Sequence, residues 1–248
     1  MRILINLRAA KNQSYEMLYH HKLQGFVYEL LRDSGFEDLH DKRGYKFFCF
    51  SNIFPIKDIM KIGEAYNLII SAPNTELISA IVDILEKSLG HAERSRESVE
   101  INIGEMLFDV VGFKKLEIEL KEKDLKVLTA TPVIIRIPEY GIPEEERKAR
   151  YVYWRPKYRY DTFLKQLNDN LIKKFNDFYD TKLREYELFE RFTFRRTTAT
   201  KVVIDSKEYV LIGSMWKFKW KYMNVIQRKI LEFGLDTGFE LIGIWIRK

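Results

Sequence analysis

The chain has 248 residues, 46% of them hydrophobic and 31% charged, with 14 Tyr, 17 Phe and 4 Trp. That composition reads as globular and is enough for one large domain or two of about 120 residues each. No apolar run approaches the roughly 18 residues of a membrane span, and MRILINLRAA is too short and too charged for a signal peptide. The single cysteine, Cys49, excludes an internal disulfide, and with only four histidines no zinc-ligand spacing is present. These features predict a cytoplasmic protein with no structural metal, no cofactor and no membrane partner. The net charge of +6 conceals an asymmetry: residues 1–120 hold 15 Lys+Arg against 18 Asp+Glu, and residues 121–248 hold 27 against 18. A basic second half rich in aromatic residues fits a polyanion, with nucleic acid first among candidates.

Taken in order, RILINLR (Arg2 to Arg8) alternates as a strand. A helix is predicted from about Tyr19 to Asp33, striped by Leu23, Phe26, Val27, Leu30 and Leu31. FFCFSNIF (Phe47 to Phe54) and AYNLIISA (Ala65 to Ala72) read as strands. TELISAIVDILEKSLG reads as a helix, capped by Asn74 or Thr75 and stopped by Gly90. VEINIGEMLFDVVGF (Val99 to Phe113) is extended. The order β-α-β-β-α-β is the ferredoxin-like unit.

The charged stretch ELKEKD (Glu119 to Asp124) is the predicted linker, and the pattern then starts again. VLTATPVIIRI (Val127 to Ile137) is a strand, and GIPEEERKAR a loop. A helix spans about Asp161 to Phe178 on the stripe Leu164, Leu167, Leu171 and Phe175. FERFTFRRTTATKVVI and YVLIGSMWKFKW are strands. A last helix, about Met223 to Phe233, leads through Gly234 into a final strand, FELIGIWIR. The expected fold is therefore α+β: two tandem ferredoxin-like (RRM-like) domains, residues 1–120 and 125–248, with a cleft between them.

LHDKRGYKFF (Leu39 to Phe48) follows the first helix and sets His40 close to Lys42, Arg43 and Lys46. Tyr28 lies on the solvent-leaning side of that helix, beside Gln24, His21 and Arg32. Tyr28, His40 and Lys46 come from a helix end, its exit loop and a strand start, and can converge on one rim. Such a trio suits RNA cleavage without a metal. The substrate's 2′-hydroxyl is the nucleophile, histidine serves as base or acid, and a protonated tyrosine can donate. Lysine supplies the cation for charge developing on phosphorus.

HHKLQGFVYELLRD followed by FEDLHDKRGYKFFCFSNIF resembles the CRISPR-associated repeat-processing endoribonucleases, the protein-six family of those systems. TPVIIR (Thr131 to Arg136) resembles the strand that opens the family's second domain. FGLDTGFELIGIW, with Gly234, Gly238 and Gly243, resembles its glycine-rich loop, although the glycines are sparser than usual. The resemblance implies that Tyr28, His40 and Lys46 form the active site, with His20 and His21 as alternative histidines. It also implies a precursor transcript cut to 2′,3′-cyclic phosphate and 5′-hydroxyl ends. The partner would be CRISPR repeat RNA, the chain acting as monomer or homodimer, alone or with an effector complex. Family members that bind without cutting, and structural subunits sharing the fold, are the rival readings.

RNA contacts are expected in the basic half. RYVYWRPKYRY (Arg150 to Tyr160) interleaves tyrosines and Trp154 with Arg155, Lys157 and Arg159, a pattern that stacks bases and tracks phosphates. RFTFRRTTATK turns Phe192 and Phe194 inward and Arg191 and Arg195 outward, with Arg196 and Lys201 adding to a basic strand face. MWKFKWKY repeats the device: Trp216, Phe218 and Trp220 on one side, Lys217, Lys219 and Lys221 on the other.

Overall fold

In a computed structural model of the chain, Arg2–Ala9 forms β1, the central strand of a five-stranded antiparallel sheet. The residues described are 1–32, 34–41, 44–95, 98–117, 119–120, 123–129, 131–139, 151–184, 187–189, 191–204, 207–222 and 224–238. The chain divides into two compact units, one built chiefly on Met1–Ile118 and the other on residues from Glu119 onward.

In the first unit β1 sends Ile3, Ile5 and Leu7 into the core, as its alternation predicts. After β2 (Gln13–Ser14), helix α1 spans His20–Leu30 and buries Leu23 and Val27. β3 (Cys49–Phe50) is followed by β4 (Ile59–Met60), which pairs with β2, and by β5 (Ala65–Ser71). Helix α2 (Thr75–Ser95) is capped by Asn74, whose Oδ1 accepts from the amides of Glu76 at 2.8 Å and Leu77 at 3.3 Å. β6 (Val99–Ile103) and β7 (Met106–Leu116) complete the sheet in the order β3-β5-β1-β7-β6. β5 and β7 flank β1 antiparallel, which is the ferredoxin-like arrangement with a fifth strand added at one edge. Inward residues of the strands and the stripes of both helices form one apolar cluster.

The second unit begins with β8 (Lys123–Leu128), then β9 (Arg136–Pro138) and β10 (Tyr151–Tyr153), which pair with each other. Helix α3 (Tyr160–Tyr179) leads to the long strands β11 (Arg191–Ile204) and β12 (Lys207–Tyr222), and helix α4 spans Val225–Thr237. The three-stranded sheet is ordered β11-β12-β8. Its core is aromatic. Trp216 stacks on Phe163, with ring centroids 4.4 Å apart, and packs against Phe192 and Trp154. Its indole N–H is satisfied by Ser214 Oγ at 2.7 Å.

Several boundaries differ from the sequence expectation. Gly90 does not stop α2, which continues to Ser95, and His91 lies within it. The stretch from Val99 is a hairpin rather than one extended segment. FFCFSNIF pairs regularly only at Cys49 and Phe50, with an isolated bridge from Phe54 to Asn67. VLTATPVIIRI is split into β8 and β9, with Val133 bridged to Ser214. Helix α4 runs on through Gly234, which is buried inside it. The predicted final strand, Phe239 to Arg247, lies outside the described residues.

Gly104 turns the β6–β7 hairpin at φ +70, where a side chain is strained. A Cβ there would lie 2.2 Å from Glu16 Oε2 and 2.6 Å from Lys22 Cδ. Glu16 is not free to yield, because its carboxylate accepts from the Glu105 amide at 3.1 Å and from Lys22 Nζ at 2.7 Å. Gly104→Ala is expected to cost about 1–3 kcal/mol of stability, measured by urea unfolding. A variant as stable as the parent would show that the hairpin turn has room to relax.

Candidate active site

Three elements of the first unit meet at Tyr28, His40 and Lys46. Tyr28 is in the last turns of α1, His40 ends a single 3-10 turn at Glu37–Leu39, and Lys46 precedes β3. The rings of Tyr28 and His40 are 5.1 Å apart, edge to face at 75°. Lys46 Nζ lies 5.7 Å from the Tyr28 ring centroid. It donates to the carbonyl of His40 at 2.8 Å and also to that of Leu39. The trio is thus a spatial cluster.

The backbone between these residues is shaped for that approach. Gly44 has φ +91 and Phe47 φ +50. A positive φ at a bulky residue is unfavourable and persists only where its surroundings enforce it. The turn at Phe47 lets Phe48 enter the core, 2% exposed, while Lys46 reaches back to the loop after α1. Lys42 and Arg43 lie outside the described residues.

Tyr28 is half-buried against Phe48 rather than set on a polar face, which corrects the sequence expectation. Burial pushes its phenol pKa up, and a hydrogen bond from Gln24 offsets this only in part. Gln24 Nε2 donates to the phenol oxygen at 2.8 Å. The phenol is the acceptor in this bond, so its own O–H is not spent on Gln24. Sequence alone marks Gln24 only as a neighbour of Tyr28; the available signal is its i, i+4 spacing on one helix. The exposed His40 imidazole has Asp41 beside it, Nδ1 to Oδ1 being 2.8 Å. This exposed pair leaves Nε2 as the ring nitrogen with no hydrogen bond among the described residues.

His20 and His21 sit elsewhere. His20 is 9% exposed, stacked on Tyr19 and bonded through Nε2 to Asn52 Oδ1 at 2.9 Å. Tyr19 in turn accepts from the amide of Ile53 and bonds Tyr15, so this group is part of the core. His21 is exposed on α1.

In the second unit Arg155, Lys157, Arg159, Arg191, Arg195, Arg196 and Lys201 are all exposed. Arg159 pairs with Asp161 at 3.0 Å, and Lys157 lies over the Tyr158 ring. Trp154 is not a base-stacking surface. It is 4% exposed and packs against Phe163 and Trp216, whereas Tyr151 is 54% exposed. Phe192, Trp216 and Phe218 face inward as the alternation predicts. The register supplies a residue that no sequence pattern singles out: Lys126 of β8 stands directly opposite Lys219 of β12. Like charges in cross-strand positions destabilise a sheet, so this face is positive at a cost to folding. Of the glycines, Gly234 is inside α4 and offers no surface, Gly238 ends the helix, and Gly243 lies outside the described residues. No group of three metal-ligating side chains occurs among the described residues, and none of their helices is long and apolar enough to cross a membrane.

The family model for CRISPR associated protein Cas6, C-terminal, matches residues 114–239. The CRISPR-associated endoribonuclease Cas6 of Haloferax mediterranei is 31% identical, over 96% of this chain and 88% of that protein. The CRISPR-associated endoribonuclease Cas6 2 of Methanocaldococcus jannaschii is 27% identical, over 96% of this chain and 93% of that one. Among solved structures, a CRISPR associated protein Cas6 aligns over 97% of this chain and 94% of its own, with TM-score 0.67 and 22% identity. A Cas6-related protein from Pyrococcus furiosus aligns over 100% and 96%, with TM-score 0.68 and 20% identity. These likenesses fix the fold as α+β with tandem ferredoxin-like domains.

Burial holds the His20 pKa down, with a like-charge contribution from His21, against a smaller opposing effect of the Asn52 bond. Unfolded chains therefore take up a proton that folded ones refuse. Stability carried by neutral His20 is present above the free histidine value of about 6.5 and is lost as pH falls below it. His20→Leu is expected to flatten the loss of stability between about pH 7 and pH 5, followed by urea unfolding. An unchanged profile would show that His20 is not the group that titrates there.

Proposed function

The chain belongs to the Cas6 family of CRISPR-associated proteins, and from that membership we propose that it is a metal-independent endoribonuclease that binds CRISPR repeat RNA and cuts precursor transcripts within the repeat. The observation that carries this reading is the convergence of Tyr28, His40 and Lys46, with rings 5.1 Å apart and the ammonium 5.7 Å from the phenol ring.

His40 Nε2 takes the proton of the 2′-hydroxyl, and the 2′-oxygen attacks the adjacent phosphorus. The P–O5′ bond breaks as Tyr28 gives its proton to the departing 5′-oxygen. The products are a 2′,3′-cyclic phosphate and a 5′-hydroxyl, and solvent returns a proton from His40 to Tyr28. Because the RNA supplies its own nucleophile, no metal-bound water is required. A phenol is protonated at neutral pH, so Tyr28 holds the proton that the acid role requires. Lys46 offsets charge that grows on the phosphoryl oxygens, an effect larger in the transition state than in the ground state.

The second unit holds the substrate. Arg155, Lys157, Arg159, Arg191, Arg195, Arg196, Lys201 and Gly238 contact the RNA backbone, and the facing Lys126 and Lys219 add to the same field. The chain functions in the cytoplasm with repeat RNA as its partner.

His40→Ala should lower the single-turnover cleavage rate by about 10²–10⁴-fold in EDTA-containing buffer while repeat affinity stays near that of the parent. Normal cutting by His40→Ala, or loss of all cutting in EDTA, would refute the proposed chemistry.

Arg191, Arg195 and Arg196 changed together to Ala should weaken repeat binding and reduce the slope of log affinity against log salt by about 2–3, one for each phosphate that is no longer neutralised. An unchanged slope would mean that β11 does not face the RNA.

A further inference from the structure

Lys174 stands where α3 should be apolar. It lies three residues after Leu171 and seven after Leu167, both fully buried, and is itself 5% exposed. This half of α3 packs on α4, with Phe175 and Phe178 each 5.5 Å from Phe233, ring to ring. The Lys174 ammonium donates to the carbonyl of Gly238 at 3.2 Å. Gly238 is the residue through which the chain leaves α4, and it has φ +80 and ψ 140, a conformation essentially restricted to glycine. The last turn of α4 has no basic residue of its own, so Lys174 brings from α3 the cation that a helix C-terminus favours.

Two costly choices thus meet on one carbonyl: a buried ammonium and a residue with maximal backbone freedom to lose. A methionine would fill much the same space without the desolvation. One turn earlier, Asn170 continues the polar stripe. It is 3% exposed, accepts from Gln166 Nε2 at 3.1 Å, and its own Nδ2 has no partner among the described residues.

We propose that Lys174 is a positioning residue for RNA binding: by holding the Gly238 carbonyl it sets the direction in which the backbone leaves α4 and is presented to the RNA phosphates. The inference rests on the RNA-binding role given above to Gly238. Because Lys174 is buried, it acts through the backbone and does not meet phosphate itself.

The test measures binding of a labelled repeat RNA carrying a 2′-deoxy substitution at the mapped cut position, across a salt series, with thermal unfolding in parallel. Lys174→Met should weaken binding about tenfold, with the salt slope unchanged and the melting temperature equal to the parent's or higher. Gly238→Ala, which leaves the lysine in place, should weaken binding similarly at the same slope, and covers the case in which Lys174→Met fails to fold. Full affinity in either folded variant would overturn the proposal. A slope reduced by about one in Lys174→Met would also overturn it, since that is the mark of a direct phosphate contact. If the parent chain binds no repeat RNA at all, the functional reading fails first and this inference with it.

Discussion

The first unit depends at its candidate site on one cation. Lys46 donates to the carbonyls of Leu39 and His40 and so ties the entrance of β3 to the turn after α1. Hydrogen bonds from a charged donor contribute about 1.5–3 kcal/mol when sheltered, and less where water competes. Here they hold a short 3-10 turn that has no buried residue of its own. The same ammonium lies by the face of Tyr28, whose ring is wedged against Phe48 in the core. Helix, turn and strand therefore register against one another through a lysine, and the imidazole is presented from a turn the lysine fixes. Position and electrostatics are not separable functions of this residue. The charge that holds the turn is also the positive charge of the candidate site.

The two units solve opposite problems. In the first, a few groups must be held close, and the means are burial, a strained backbone at Phe47 and hydrogen bonds to main-chain carbonyls. In the second, a basic strand face is held over an aromatic core. Arg191, Arg195 and Arg196 project from β11, while Phe192 on the other face joins Trp216 and Phe218 in the core. That aromatic packing offsets the repulsion of facing lysines, because large rings stabilise a sheet through buried area and favourable edge and face contacts.

Much of this was legible in the sequence, for identifiable reasons. Strand alternation in RILINLR and the stripe of α2 reflect burial of one face, so those elements form where the periodicity places them. The convergence of Tyr28, His40 and Lys46 was legible because helix end, exit loop and strand start lie close in sequence and the order of short motifs resembled a known family. Helix ends were less legible. Gly90 and Gly234 look like stops, yet each lies inside its helix, because tertiary packing beyond the glycine outweighs its modest propensity penalty. The division of VLTATPVIIRI was hidden too, since an apolar run does not reveal which partner each half will find. Trp154 shows the limit of composition: among basic residues and tyrosines it looks like a stacking platform, but it is core.

Register and long-range bonds carry the information that no local pattern holds. Lys126 and Lys219 are over ninety residues apart, and only strand pairing sets them face to face. Lys174 and Gly238 are 64 residues apart, and only helix packing brings that ammonium beneath that carbonyl. In both cases tertiary structure, not local pattern, decides what the charge meets. Local propensity, hydrophobic pattern and electrostatics agree through most of a foldable chain, and the places where they conflict are where function is expected to reside. By that criterion the sheet face and the exit from α4 stand beside the Tyr28–His40–Lys46 cluster as candidate sites.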